Sequence, residues 1–180
     1  NLYNAITLDI ALDAYPIKSI KNLKLKDKYK GRIGNGLFFK LAGGPWESTV
    51  VKVNNIALSL NNIEHKILRK HGDPRIHYAI NCASVGCPNL QPKAWEVNTL
   101  ETDLNTAAKE FINNPRGVRL ENGNLTISSI YKWFKEDFGS SDKNILKHLS
   151  KYAERETKSL LQNAKKINKY DYNWDLNQLQ

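Results

Sequence analysis

Methionine is missing altogether from these 180 residues, cysteine occurs only twice, and no apolar run lasts more than a few positions. The short apolar runs exclude a transmembrane helix in this segment. Two cysteines are too few for a disulfide scaffold, and no internal repeat marks a solenoid or propeller. No targeting peptide is visible. The chain opens at Asn1 inside an expected helix and lacks Met, so a preceding segment is expected, and the compartment, cytoplasmic or exported, is left open.

What is present is ordinary for a globular chain. Apolar residues make up 41% and charged residues 25%, which excludes intrinsic disorder. A chain of 180 residues is sized for one domain with a buried core, so a single domain over 1–180 is expected. The net charge is +9, from 27 Lys and Arg against 18 Asp and Glu. Such a surplus attracts acidic partners, but Lys18, Lys21, Lys24, Lys26, Lys28 and Lys30, then Lys143, Lys147, Lys151, Lys165 and Lys166, are scattered and accompany no nucleic-acid module. Solvated surface is the expectation, with nucleic acid not a partner and the oligomeric state open. Cys82 and Cys87 are spaced C-x4-C, longer than the usual thiolate spacing of a zinc site, so neither a metal nor another cofactor is expected.

Local patterns place the elements. Apolar residues at helical spacing run from Asn1 to Leu12 and stop at Tyr15-Pro16, predicting a buried helix. Lys18 to Gly36 is basic, glycine-punctuated and aperiodic, a surface loop; its Gly31, Gly34 and Gly36 lack the spacing and flanking elements of a nucleotide loop. Thr49–Val53 and Ile56–Leu58 flank Asn54-Asn55, a hairpin signal. Ser59 is placed to cap a helix from Leu60 to His71, ended by Gly72. Arg75 to Cys82 alternates and reads as a strand, followed by a loop from Ser84 to Pro88. Thr99 to Asn113 is amphipathic. Val118–Leu120 and Leu125–Ile127 bracket Asn122-Gly123, a second hairpin. Ser128 or Ser129 caps a helix to Phe138, Asp142 caps another to about Gln162, and Tyr170 to Leu176 reads as a final strand. The fold class is therefore α+β: helices interleaved with two β-hairpins and a mixed or antiparallel sheet.

Chemistry-bearing residues concentrate between Glu64 and Pro88. On the helix from Leu60, Glu64 falls among Leu60, Ile63, Ile67 and Leu68, and a carboxylate there needs a cation, backbone donors or a cleft. His65 lies at the edge of that face with Arg69 one turn on. In the strand reading, Cys82 points with Ile76, Tyr78 and Ile80, and His77 points with Asn81 to the other side. Small residues around Cys82, in Asn81-Cys82-Ala83-Ser84-Val85-Gly86-Cys87-Pro88, let backbone donors approach a ligand.

The Asn1-x-Tyr3-Asn4-Ala5 opening, Leu60-x-x-Ile63-Glu64-His65-x-Ile67-Leu68-Arg69, Asp73-Pro74-Arg75-Ile76-His77 and Asn81-Cys82-Ala83-Ser84-x-x-Cys87-Pro88 resemble the family catalogued as domain of unknown function five-four-seven, found in bacteria and plants. Lys132 to Phe138 and Tyr172-x-Trp174-x-Leu176 extend the resemblance along nearly the whole chain. It implies kinship without an assigned activity.

Three readings follow from the residues. In the first, Cys82 is the nucleophile of a papain-like hydrolase or acyl transferase acting on an amide or thioester of a small or peptidic substrate. His65 is its base and His77 the rival base. Glu64 joins the catalytic group, Asn4 or Asp73 orients the imidazole, and backbone N–H groups around Ala83 and Ser84 receive the oxyanion. Asn4, Arg69, Arg75, Asn81 and Ser84 contact substrate in this reading. In the second, the chain is a binding or scaffold domain in which Glu64, Arg69 and Arg75 form a polar network. In the third, Cys82 and Cys87 form a disulfide.

Overall fold

The computed structural model describes residues 1–23, 46–164 and 166–178. Most of the expected basic loop, with its three glycines, lies outside the described residues. Two compact units emerge. The first comprises Asn1–His71, Asn81–Val85 and Trp174–Gln180, and the second Gly72–Ile80 and Gly86–Asn173. Helices alternate with a two-stranded and a three-stranded sheet, the expected α+β class.

In the first unit, α1 (Leu2–Ala14) ends where Tyr15 turns extended ahead of Pro16. Tyr3, Asn4, Thr7, Ile10 and Ala11 are buried, but Leu2, Leu8 and Leu12 are exposed, so one side of this helix faces outward rather than the whole being buried. A 3-10 turn, Ile20–Asn22, follows, capped by the Ser19 hydroxyl. Strands β1 (Thr49–Val53) and β2 (Ile56–Ser59) pair antiparallel. Asn54 and Asn55 both adopt positive φ, 48° and 63°, as a two-residue turn matched to strand twist requires.

Ser59 then caps the next helix reciprocally. Its Oγ accepts from Asn62 N–H at 3.0 Å, and Asn62 Oδ1 accepts from Ser59 N–H at 3.3 Å. The helix is not wound as an ordinary α-helix. Asn62–Ile67 is π-wound and Leu68–His71 tightens to 3-10, with Leu68 N–H shared between the carbonyls of Ile63 and Glu64. Such windings are rare and concentrate at functional sites. Ile67, expected on the buried face, is 43% exposed.

The second unit corrects the strand expected from Arg75 to Cys82. Ile76–Ala79 is instead one helical turn, α2. Asp73-Pro74 decides it: Asp73 Oδ1 accepts from Arg75 N–H at 2.9 Å, and Pro74 supplies a fixed φ at the start of the turn. The alternating pattern lost to a cap and a proline. Next come α3 (Leu100–Ile112), the hairpin β3 (Val118–Glu121) and β4 (Asn124–Ser128), and α4 (Ile130–Trp133). Asn122 and Gly123 take the positive φ values of the hairpin turn. The helix expected to reach Phe138 stops at Trp133, with tight turns continuing to Gly139.

The long helix expected after Asp142 is two, α5 (Asp142–Tyr152) and α6 (Arg155–Asn163). Asn113 holds the break open: its Nδ2 donates to Tyr152 O at 3.0 Å, and its Oδ1 accepts from Glu154 N–H at 2.8 Å. The cap of α5 is Ser141 rather than Asp142. Strand β5 (Lys169–Asp171) joins β4 in parallel, giving the order β3-β4-β5. Ala108, Ile112, Ile127, Ile145 and Leu149 are wholly buried at the centre of this unit. Each of these isoleucines and leucines contributes roughly 1.5–3 kcal/mol by leaving water.

Candidate functional site

Cys82 stands at the turn of a tightly tied loop in the first unit. Asn81 N–H donates to Asn4 Oδ1 at 2.9 Å, and Ala83 N–H donates to Asn81 Oδ1 at 2.6 Å. This local turn drives Ala83 to φ 63°, a left-handed conformation that costs an L-residue about 1–2 kcal/mol. The chain terminus offsets that cost. Val85 N–H donates to Asp175 O at 2.8 Å, Asn177 N–H to Ala83 O at 2.9 Å, and Leu176 N–H to Lys18 O at 2.9 Å. Trp174 to Asn177 is thus bonded to Ala83–Val85 on one edge and Lys18–Ile20 on the other. Ser84 is completely buried, with its Oγ 3.1 Å from Cys82 Sγ, while Cys82 itself is only partly buried.

One expected oxyanion donor is therefore spoken for. Ala83 N–H is satisfied by Asn81 rather than presented to a ligand, because the asparagine two residues earlier can reach it. On the π-wound helix, Glu64 is buried, as a carboxylate among apolar neighbours had to be. His65 Nδ1 lies 3.0 Å from Arg69 Nη1. A guanidinium only donates, so Nδ1 accepts and, in the neutral ring, the proton sits on Nε2.

His77 and Arg75 belong to the second unit. His77 Nε2 lies 2.7 Å from Asp137 Oδ2, and its ring stacks on Phe134 with centroids 4.0 Å apart. The side chain is 1% exposed. Arg75 engages all five of its N–H groups: Nε on Asp73, Nη1 on Glu101 and Asn105, and Nη2 on Asp73 and Glu101. These bonds raise Arg75 further above the usual guanidinium range. Burial alone would push Asp73 up, but Arg75 brings it net below the usual carboxylate range.

The two cysteines have separate partners. Cys87 Sγ lies 3.2 Å from Tyr172 Oη and Cys82 Sγ beside Ser84, and neither sulfur is in a disulfide. The disulfide of the third reading is not formed; each thiol lies beside a hydroxyl instead. Among the described residues no group of three His, Cys, Asp or Glu is arranged to hold a metal ion.

Residues 1–112 match the model of a family described as a protein of unknown function, DUF547. The chain belongs to the DUF547 family. No curated protein and no solved structure matches it. Every residue named as a candidate from the sequence falls inside the matched part of this DUF547 chain.

Sequence reasoning missed three contributors outside that part. Asp137 holds the His77 ring, and its signal was the Lys132 to Phe138 motif, which carried no role when read alone. Asp175 and Asn177 tie the Cys82 loop through backbone atoms, for which a sequence carries no side-chain signal.

Proposed function

We propose that this DUF547 chain is a cysteine-nucleophile hydrolase or acyl transferase, acting through Cys82 on an amide or thioester of a small or peptidic substrate. The observation that supports it is the backbone beside the thiol. A left-handed alanine directly after a partly buried cysteine, held by a buried asparagine pair, is stored strain of the kind found where a nucleophile must be presented. Ser84 Oγ at 3.1 Å can donate to Sγ once it is ionised, a charge-assisted bond that favours the thiolate.

The step is conventional. The thiol proton passes to a base, the sulfur electron pair forms a C–S bond to the acyl carbon, and the C–N or C–S bond of the substrate breaks as the leaving group is protonated. Water or a second acceptor then displaces Cys82 from the acyl group. His65, in the same unit as Cys82, is the proposed base, and Glu64 contributes a buried carboxyl group on its helix. His65 Nδ1 accepts from Arg69, which fixes the ring, and this nitrogen takes the thiol proton when Arg69 releases it. Asn4 and Asn81 act as positioning residues in this reading, and Arg69 positions His65.

The competing reading is a binding or scaffold domain, favoured by the completeness of the Arg75 network. Iodoacetamide labelling followed by intact mass across pH 4 to 9 separates the two. The expected result is rapid labelling of Cys82, with Cys87 slow, well below the ordinary thiol value of about 8.5. The S84A variant should lose part of that advantage and H65Q most of it, with H77Q in the second unit as the comparison. Slow labelling of both cysteines with an ordinary pH profile would sink the nucleophile reading.

A further inference from the structure

A cleft of about 450 Å³ opens within the second unit. Asp73, Arg75, Glu101, Asn105, His148 and Lys151 line it. Its volume falls in the range of small-molecule sites.

Behind it lies a buried polar chain. Tyr131 Oη is 3.3 Å from Tyr78 Oη, which is 2.8 Å from His148 Nε2, and both tyrosines are wholly buried. Only one direction of donation satisfies every hydroxyl. If Tyr78 donated to Tyr131, the Tyr131 proton would have no acceptor in a fully buried place, which is costly. Tyr131 therefore donates to Tyr78 and Tyr78 donates to His148 Nε2. The imidazole proton is then on Nδ1, a nitrogen without a partner among the described residues. Burial, helped by nearby Lys151, holds His148 down to about 4, so the ring is neutral at pH 7 and this tautomer is the resident one.

The unspent groups around the cleft are consequently of two kinds. Donors are His148 Nδ1–H, Lys151 Nζ and Asn105 Nδ2, since Asn105 Oδ1 already accepts from Arg75. Lys151 makes no ion pair among the described residues and lies 5.0 Å over the Tyr152 ring. Acceptor capacity remains on Glu101, whose side chain is 77% exposed. Asp73 and Glu101 against Arg75 and Lys151 sum to zero charge, so a dianion such as phosphate meets two carboxylates, while a ligand carrying both signs meets complements at both ends.

We propose that this cleft binds a small zwitterion, an amino acid or short peptide, with its carboxylate on Lys151 and His148 and its ammonium on Glu101. The rigid Arg75 network sets the spacing between the two ends.

The test uses the whole chain labelled with 15N. Titrating Ala-Ala should shift the amides of Gly72, Asp73, Arg75, Lys151 and Tyr152 saturably. Alaninamide, lacking the carboxylate, and N-acetylalanine, lacking the ammonium, should each bind at least tenfold more weakly. Lys151→Met, a change at an exposed position, should weaken Ala-Ala at least tenfold with the spectrum otherwise intact. Side-chain 15N spectra should show His148 protonated on Nδ1 in the wild type. Equal binding of alaninamide, tighter binding of inorganic phosphate, no effect of Lys151→Met, or an Nε2-protonated His148 would each overturn the proposal.

Discussion

The two units solve the problem of burial in opposite ways. In the second, Ile112, Ile127, Ile145 and Leu149 form an apolar centre with α3, α5 and β4 around it. In the first, Asn4, Thr7, Ser48, Ser59, Glu64, Asn81 and Ser84 are buried alongside Tyr3, Ile10, Leu60 and Ile63. A polar interior must be satisfied bond by bond, and the Asn4–Asn81–Ala83 chain and the Ser59–Asn62 cap are how this one is. Packing is forgiving of geometry and generous in energy, whereas hydrogen bonds contribute little net stability but fix positions closely. The unit that fixes positions is the one holding the cysteine proposed as nucleophile.

That contrast is open to breaking. The largest effect should come from truncating the apolar centre: Ile145→Ala is expected to lower the unfolding free energy by about 2–5 kcal/mol in a urea titration. A loss under 1 kcal/mol would mean that the second unit does not depend on its packed centre.

The next effect is in the pH profile. His148 goes from about 6.5 unfolded down to about 4 folded, so between these values the unfolded chain binds the extra proton. Stability contributed by the neutral ring is present above pH 6.5 and is lost as pH falls towards 4, amounting to on the order of 3 kcal/mol. Melting curves from pH 7.5 to 4 should show this slope, and His148→Gln, which still accepts from Tyr78, should flatten it. An unchanged slope in that variant would place the titration elsewhere.

Smaller still is the clamp between α5 and α6. Asn113→Ala removes two bonds to the main chain at the helix break and should cost about 1–2 kcal/mol. Hydrogen exchange at Glu154 is the specific readout, since its amide loses its acceptor.

The smallest change in stability should accompany the most informative change in reactivity. Ala83→Gly relieves the left-handed strain, and with a more flexible unfolded chain opposing it the net should be within about 1 kcal/mol. Labelling of Cys82 should nevertheless slow, because the loop is freer to leave its presented conformation. A variant that labels as fast as the wild type would show that the strain has no part in presenting the thiol.

Much of the fold was legible locally. Asn54-Asn55 and Asn122-Gly123 each announce a turn whose backbone only a few residue types tolerate, and both hairpins are where those pairs put them. The stripe of Leu104, Ala107, Ala108 and Phe111 marks the buried face of α3. The failures are equally specific. Arg75 to Cys82 alternates like a strand, yet Asp73 caps the segment into a helical turn. The periodicity after Asp142 runs unbroken through a helix that Asn113 interrupts from outside. The site was legible as a neighbourhood: Glu64 is buried and Asn81, Cys82 and Ser84 share one loop, whereas the Arg69 bond that sets the His65 tautomer required coordinates.

Sequence by itself determined the α+β class, both turns, the Ser59 cap and the position of the cysteine loop, because each follows from the conformational limits of a few adjacent residues. Tertiary structure alone decided what that loop is bonded to, which nitrogen of His65 and of His148 carries the proton, and that Asp137 faces His77. Those are meetings between residues far apart in the chain, and a hydrogen bond depends on distances and angles that no local pattern encodes.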